Sequence, residues 1–201
     1  MQQDPYIAIL HNLTENYEPQ APIIRRKNWD QDSGFAVVKQ GLNPKDKLMY
    51  QRFHQFMEWI ESLDRSSKIF GLVHADLHHG NFFVSGGEIE AFDFDDAVYH
   101  WHAYDIAVSL INLANMCDEG FFDKPFSDLY SQIINGYLSQ RPMCAVWLNR
   151  IDLFMKFRMC TVYHWLRVGI NDGIFNKAQL EWSHKMMSWA KKQLIYEVKF
   201  L

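Results

Sequence analysis

Gly71-Leu-Val-His-Ala-Asp-Leu-His-His-Gly-Asn-Phe-Phe-Val-Ser-Gly-Gly-Glu-Ile-Glu-Ala-Phe-Asp-Phe-Asp-Asp96 decides the reading of this chain. Two polar clusters, His74/Asp76/Asn81 and Asp93/Asp95/Asp96, flank an apolar alternation centred on Gly86-Gly87. Phe82 to Val84 and Ile89 to Phe92 read as the two strands of a hairpin. A hairpin sets the residues at its open ends side by side, so Asn81 and Asp93 are expected as neighbours, with Asp76 one loop away. Oxygen donors gathered at a strand end, with a third carboxylate close by, suit a hard divalent ion and the activation of a hydroxyl.

His-x-Asp, an Asn five residues after the Asp, and a strand ending in Asp-Phe-Asp follow the kinase order of catalytic loop and metal-binding Asp. His74-Ala-Asp-Leu-His-His-Gly-Asn81 with Phe92-Asp-Phe-Asp95 resembles the aminoglycoside phosphotransferase and choline kinase branch, which includes homoserine kinases. Tyr104-Asp-Ile-Ala107 stands where that branch carries the same tetrapeptide. Three ordered elements at consistent spacing are far more specific than one short motif.

The resemblance implies a protein kinase-like C-terminal lobe and a role for each residue. Asp76 would be the catalytic carboxylate, orienting an acceptor hydroxyl toward the γ-phosphorus of ATP. Asn81 and Asp93 would bind the cofactors, holding Mg²⁺ and through it the phosphates. His74 and Asp105 would be structural, His74 bracing the loop and Asp105 hydrogen-bonding to it from a helix start. Asp95 stands where protein kinases have the Gly of Asp-Phe-Gly; it would assist the metal, meet a cationic acceptor, or cap the next segment. Asp96 is read as solvated or bonded to backbone. His78 and His79 are either exposed loop residues or face the acceptor. Ala75 occupies a position usually Gly in this branch and Arg in protein kinases, and the missing Arg argues against pairing with an activation-loop phosphate.

The 201 residues suit one domain or one lobe of a larger enzyme, and seven Trp with fifteen Phe supply ample core material. A net charge of −4 argues against a nucleic-acid partner. No apolar run approaches the roughly eighteen residues of a bilayer span, which argues against a membrane protein. Met1-Gln-Gln-Asp-Pro5 has neither a basic nor an apolar signal segment. Cys117, Cys144 and Cys160, with no Cys-x-x-Cys pair, read as buried free thiols in a reducing cytoplasm.

Along the chain, Tyr6, Ile9, Leu10, Leu13 and Tyr17 have helical spacing, and Glu18-Pro-Gln-Ala-Pro22 stops that helix. Residues 19–42 read as irregular. Arg25-Arg26-Lys27 is read as solvated, with a phosphate contact as the alternative. Gly34-Phe-Ala-Val-Val-Lys39 imitates the kinase strand that carries a phosphate-holding Lys. No glycine-rich loop precedes it, so Lys39 is read as a decoy. Asn43-Pro44 opens a helix to about Asp64 with Leu48, Phe53, Phe56, Met57, Ile60 and Leu63 on one side. Further helices are expected over about 103–117, 125–139, 145–168 and 177–196. Tyr99/Trp101/Tyr104 form either an alkylammonium box or core, with core the commoner use. Trp147, Tyr163, Trp165, Trp182 and Trp189 read as core or lobe-packing groups.

The expected fold is mostly α with a small β-hairpin (α+β), a C-terminal catalytic and substrate lobe over residues 1–201 without the N-terminal nucleotide-covering lobe. The expected function is transfer of the γ-phosphate of ATP, with Mg²⁺, to a hydroxyl of a small amine-bearing metabolite or antibiotic, the chain alone being incomplete. Self-association through the exposed lobe interface is expected as well. Two rivals are a non-catalytic kinase-like binding module and a metallohydrolase built on His74, Asp76, His78, His79, Asp93 and Asp95.

Overall fold

The computed structural model describes residues 5–15, 17, 25–196 and 198–200. The first four residues and the proline-rich break at 18–22 lie outside the described residues. The chain divides into two compact units, residues 1–29 with 65–151, and residues 30–64 with 152–201.

The first unit holds α1 (Tyr6–Thr14), four short strands, α4 (His102–Asp118) and α5 (Phe126–Gln140). β1 (Phe70–Val73) pairs antiparallel with β4 (Val98–Trp101), Phe70 opposite Trp101 and Val73 opposite Val98. β2 (Phe82–Ser85) and β3 (Glu88–Ala91) form the hairpin, Phe82 opposite Ala91. Its two-residue turn needs positive φ at both centres, which Gly86 (60°) and Gly87 (89°) adopt. The loop 74–81, the hairpin and the turn 94–96 are thus inserted between two strands that pair with each other.

α4 follows β4 directly and is buried over Ala103–Val108, Leu110 and Ile111, a helix apolar on nearly all sides that forms the floor of this unit. Trp101 is fully buried against Trp29 and Phe70, with the Arg65 guanidinium 5.3 Å above its ring. α1 is tied across the sheets, Thr14 Oγ1 donating to the Leu72 carbonyl (2.7 Å) and Ala91 N donating to the Tyr6 hydroxyl (3.1 Å). Its buried residues are Ala8 and His11, whereas Ile9, Leu13 and Tyr17 are exposed. The apolar spacing read from the sequence therefore falls largely on the outer face, and the inner face carries a histidine.

The second unit holds α2 (Ser33–Gln40), α3 (Lys47–Glu61), most of α6 (Ala145–Asn171) and α7 (Lys177–Leu194). Phe53 packs on Phe35, Phe56 on Phe157 and Phe200, and Trp59 on Phe154. Gly41 is required by proximity, since a Cβ there would stand 1.9 Å from the His164 carbonyl oxygen.

Several expectations change here. Residues 33–40 are helical, begun by Asp32, whose side chain accepts from Gly34 N at 2.7 Å. Lys39 thus lies on a helix, its ammonium 4.9 Å from the Phe35 ring centre. α3 starts at Lys47, because Asn43 closes a local turn onto Lys45 N (2.9 Å). Its buried face is Met49, Phe53, Phe56, Trp59 and Ile60, leaving Leu48 and Met57 at the margin. Trp165 and Trp182 are exposed, and of the three free cysteines only Cys160 is buried. Burial pushes the Cys160 thiol far up. Among the described residues no helix is long and apolar enough to cross a membrane.

Candidate active site

The loop between β1 and β2 carries His74, Asp76 and Asn81, and the end of β3 delivers Asp93. Phe92 N donates to the Asn81 carbonyl at 3.0 Å, extending the hairpin ladder by one pair and setting the residues on either side next to each other. Asn81 is buried and Asp76 partly so, while Asp93, Asp95 and Asp96 are exposed.

The Asp76 carboxylate is held by its neighbours. Asn81 Nδ2 donates to Asp76 O (2.9 Å) and Asp76 Oδ2 (3.1 Å). His78 Nε2 lies 3.4 Å from the same Oδ2, and His78 Nδ1 accepts from Gly80 N (3.0 Å), which leaves the His78 proton on the Asp76 side. His79 is exposed, its ring 5.6 Å from that of His78. With both bonds made by Nδ2, the Asn81 amide oxygen remains an acceptor. That oxygen and the exposed Asp93 carboxylate stand at adjacent strand ends, and hard oxygen donors of this kind are the type a divalent cation takes. Asp95 sits in the short 3₁₀ turn Phe94–Asp96, and Arg26 donates to its backbone carbonyl at 2.8 Å. Arg26 therefore steadies the turn. Arg25 lies over the Tyr99 ring, and the Lys27 carbonyl accepts from Tyr99 N.

Two site positions carry backbone that L-residues avoid. Ala75 has φ 66° and Asp93 has φ 62°. Each left-handed residue with a Cβ costs roughly 1–2 kcal/mol, and such conformations persist where surroundings over-determine them. Asp105 over-determines the first. Its Oδ1 accepts from Ala75 N (2.7 Å) and its Oδ2 from His74 N (3.4 Å), and the side chain is fully buried. His74 Nε2 donates to the Phe92 carbonyl (3.0 Å) while its Nδ1 accepts from Asp76 N (3.4 Å), so one neutral tautomer links the loop to the residue preceding Asp93. Ser109 Oγ donates to the Leu77 carbonyl (2.7 Å), a second attachment to α4.

Sequence reasoning missed what lies behind Asp105. His11 of α1 is fully buried, with Nε2 3.0 Å from Asp105 Oδ2 and Nδ1 3.0 Å from the Tyr137 hydroxyl of α5. Burial pushes the Tyr137 phenol far up. The His11 ring stacks on His102 at 4.4 Å. His102 is itself buried with neither ring nitrogen in a hydrogen bond of good geometry. Burial, and then the charges of His11 and Arg141, push its pKa down to about 2. Arg141 in turn binds Glu15 (2.7 Å), Asn12 (2.7 Å) and the Lys68 carbonyl (3.3 Å). The available signal was His11 itself, a histidine within the helical run 6–14.

The aromatic box does not form. Trp101 and Tyr104 are buried, Tyr104 stacked on His100 at 3.7 Å. The metallohydrolase crowd also disperses: among the described residues no three His, Cys, Asp or Glu side chains converge as metal ligands. His74 is spent on backbone contacts, and His78 points at Asp76.

Comparison with known proteins gives the same fold. The chain is 32% identical over 161 residues to amicoumacin kinase of Bacillus subtilis (strain 168), covering 79% of this chain and 47% of that protein. It is 29% identical over 125 residues to homoserine kinase of Brucella anthropi, covering 58% of this chain and 36% of the relative. The chain thus spans about half, or less, of the length of these curated relatives. A structure of amicoumacin kinase hAmiN in complex with AMP-PNP, Ca²⁺ and Ami superposes with a TM-score of 0.79 at 25% identity, over 98% of this chain and 60% of that one. The microcompartment-associated aminopropanol kinase shares the fold at 18% identity, with a TM-score of 0.61 over 94% of this chain and 57% of that one. Residues 7–142, which contain the whole loop, hairpin and α4 assembly, match the phosphotransferase enzyme family. The chain therefore belongs to that family, in its aminoglycoside phosphotransferase and choline kinase-like branch.

Proposed function

We propose that this chain is the catalytic-loop and substrate portion of an ATP-dependent small-molecule kinase that phosphorylates a hydroxyl on an amine-bearing metabolite or antibiotic. The observation that carries the reading is the Asp105 brace, which holds Ala75 left-handed and thereby sets Asp76 beside Asn81 at the end of the hairpin.

In this reading Asp76 orients the acceptor hydroxyl and receives its proton as the oxygen attacks phosphorus. Asn81 and His78 keep the Asp76 carboxylate in one rotamer, so little reorganisation remains for the reaction step. Asn81 Oδ1 and Asp93 would hold Mg²⁺, which supplies charge neutralisation at the transferring phosphoryl group. Asp95 would be a further contact to the metal or to a cationic acceptor. The amine-bearing acceptor is supported by the name of a curated relative, homoserine kinase. A soluble, cytoplasmic enzyme without a nucleic-acid or membrane partner fits the composition.

The sequence contains no glycine-rich phosphate-covering loop, so turnover by this chain alone is expected near background. The test is calorimetric titration of the 201-residue chain with Mg-ATP beside Asp93→Asn. Heat of binding that disappears in Asp93→Asn supports the reading. Equal binding by both proteins removes Asp93 from the site, and binding by neither favours the non-catalytic module.

A further inference from the structure

The second unit carries an open groove of about 470 Å³ walled by the segment before α3, the C-terminal half of α6, and α7. Its charge is unbalanced: Lys45, Arg167 and Lys191 face one carboxylate, Asp46. That carboxylate is already committed. Lys191 Nζ donates to Asp46 Oδ1 (2.9 Å) and Oδ2 (3.1 Å), and the Tyr163 hydroxyl donates to Oδ2. Among the described residues, the Arg167 guanidinium and the Lys45 ammonium make no ion pair or hydrogen bond, although Arg167 is only half-exposed.

A half-buried guanidinium without an acceptor, beside a second unpaired cation, is costly in a chain whose net charge is −4. The amides of Asn43 and Asn171 add neutral donors to the same rim. Ile170 and Met187 give the groove an apolar wall. The volume falls within the range of roughly 300–1,000 Å³ typical of small-molecule sites and far exceeds a bare ion.

We infer that this groove binds a metabolite-sized organic oxyanion, its phosphate or carboxylate on Arg167 and Lys45 and its carbon skeleton against Ile170 and Met187. Asp46, neutralised by Lys191 and Tyr163, closes the cationic end without repelling the ligand. This inference stands apart from phosphotransfer: it uses none of Asp76, Asn81 or Asp93.

The test is a nuclear magnetic resonance titration of the full chain in EDTA, read at the Arg167 Nε–H and at the Ile170 and Met187 methyl groups. The probes are glucose 6-phosphate, citrate and glucose. Saturable shifts with either anion and none with glucose are expected; the phosphate and the carboxylate arms tell which oxyanion is preferred. Arg167→Gln and the exposed Lys45→Ala should each weaken the apparent Kd at least tenfold, and raising NaCl should weaken it further. The same titration in Asp93→Asn should be unchanged, so a failed phosphotransfer reading leaves this result standing. Equal response to glucose, shifts that rise without saturating, or unaltered affinity in both cation variants would overturn it.

Discussion

At residue scale, Ala75 and Asp105 form one device. The left-handed backbone at Ala75 has a Cβ penalty that glycine lacks. Ala75→Gly is expected to stabilise the protein by roughly 0.5–1 kcal/mol after the entropy of the unfolded glycine is offset, read as a higher urea midpoint at unchanged slope. Asp105→Asn retains the shape but replaces one acceptor with a donor facing either Ala75 N or His11. It should destabilise by about 2–3 kcal/mol, because a charge-assisted buried bond is lost and a donor is left unmatched; a loss under about 0.5 kcal/mol would show that the brace carries nothing. The contact of Asp76 with Asn81 is legible in sequence because local spacing decides it, and the pairing of Asn81 with Phe92, which precedes Asp93, because the hairpin turn decides it. His11 and Tyr137 are not, since they are 126 positions apart and meet only through tertiary packing.

At the scale of elements, the hairpin is legible because its alternation and Gly86-Gly87 turn are written within ten residues. The β1–β4 pair is not, since four-residue strands separated by the inserted hairpin have no local signal of being partners. α2 hides behind the β-branched pair Val37-Val38, although Asp32 already stood at its start as a cap. α1 shows how a correct helix can be assigned the wrong inner face. Ile9 and Leu13, spaced four apart on it, are exposed, as is Tyr17 beyond its end. We propose that Ile9 and Leu13 belong to the exposed apolar surface through which the chain self-associates. Sedimentation velocity should show concentration-dependent oligomers that Ile9→Glu with Leu13→Glu returns to monomer. Unchanged oligomers in the double variant would place association elsewhere.

At the scale of the whole molecule, the pH dependence of stability follows from two buried histidines. His102 and His164 both have pKa values pushed down, burial being the main cause in each. His164 contacts the Gly41 and Met49 carbonyls with its two nitrogens, and in its neutral form it donates to only one of them. The unfolded chain takes up these protons near pH 6.5 and the folded chain does not. Stability is therefore fully present above that pH and declines as pH falls, at roughly 1.4 kcal/mol per pH unit for each histidine until its folded pKa is reached. Asp46 adds to the loss only in stronger acid. Burial alone would raise its pKa, but Tyr163 and Lys191 outweigh that and hold it low. Urea unfolding at pH 7.5, 6 and 5 should show the decline, with a shallower slope in His102→Leu; a flat profile would mean the histidines take up protons in the fold as readily as in the unfolded chain.

One consequence of the Asp105 brace concerns the exchange of amide protons with solvent. Loop amides ordinarily exchange through small local openings, while core amides wait for large ones. The Ala75 and His74 amides lie in a loop yet donate to a fully buried carboxylate that is itself held by His11 and α4. They cannot open without dislodging that carboxylate. Deuterium should therefore enter these two positions on the timescale of α4, long after it has filled His79 and Gly80 a few residues on.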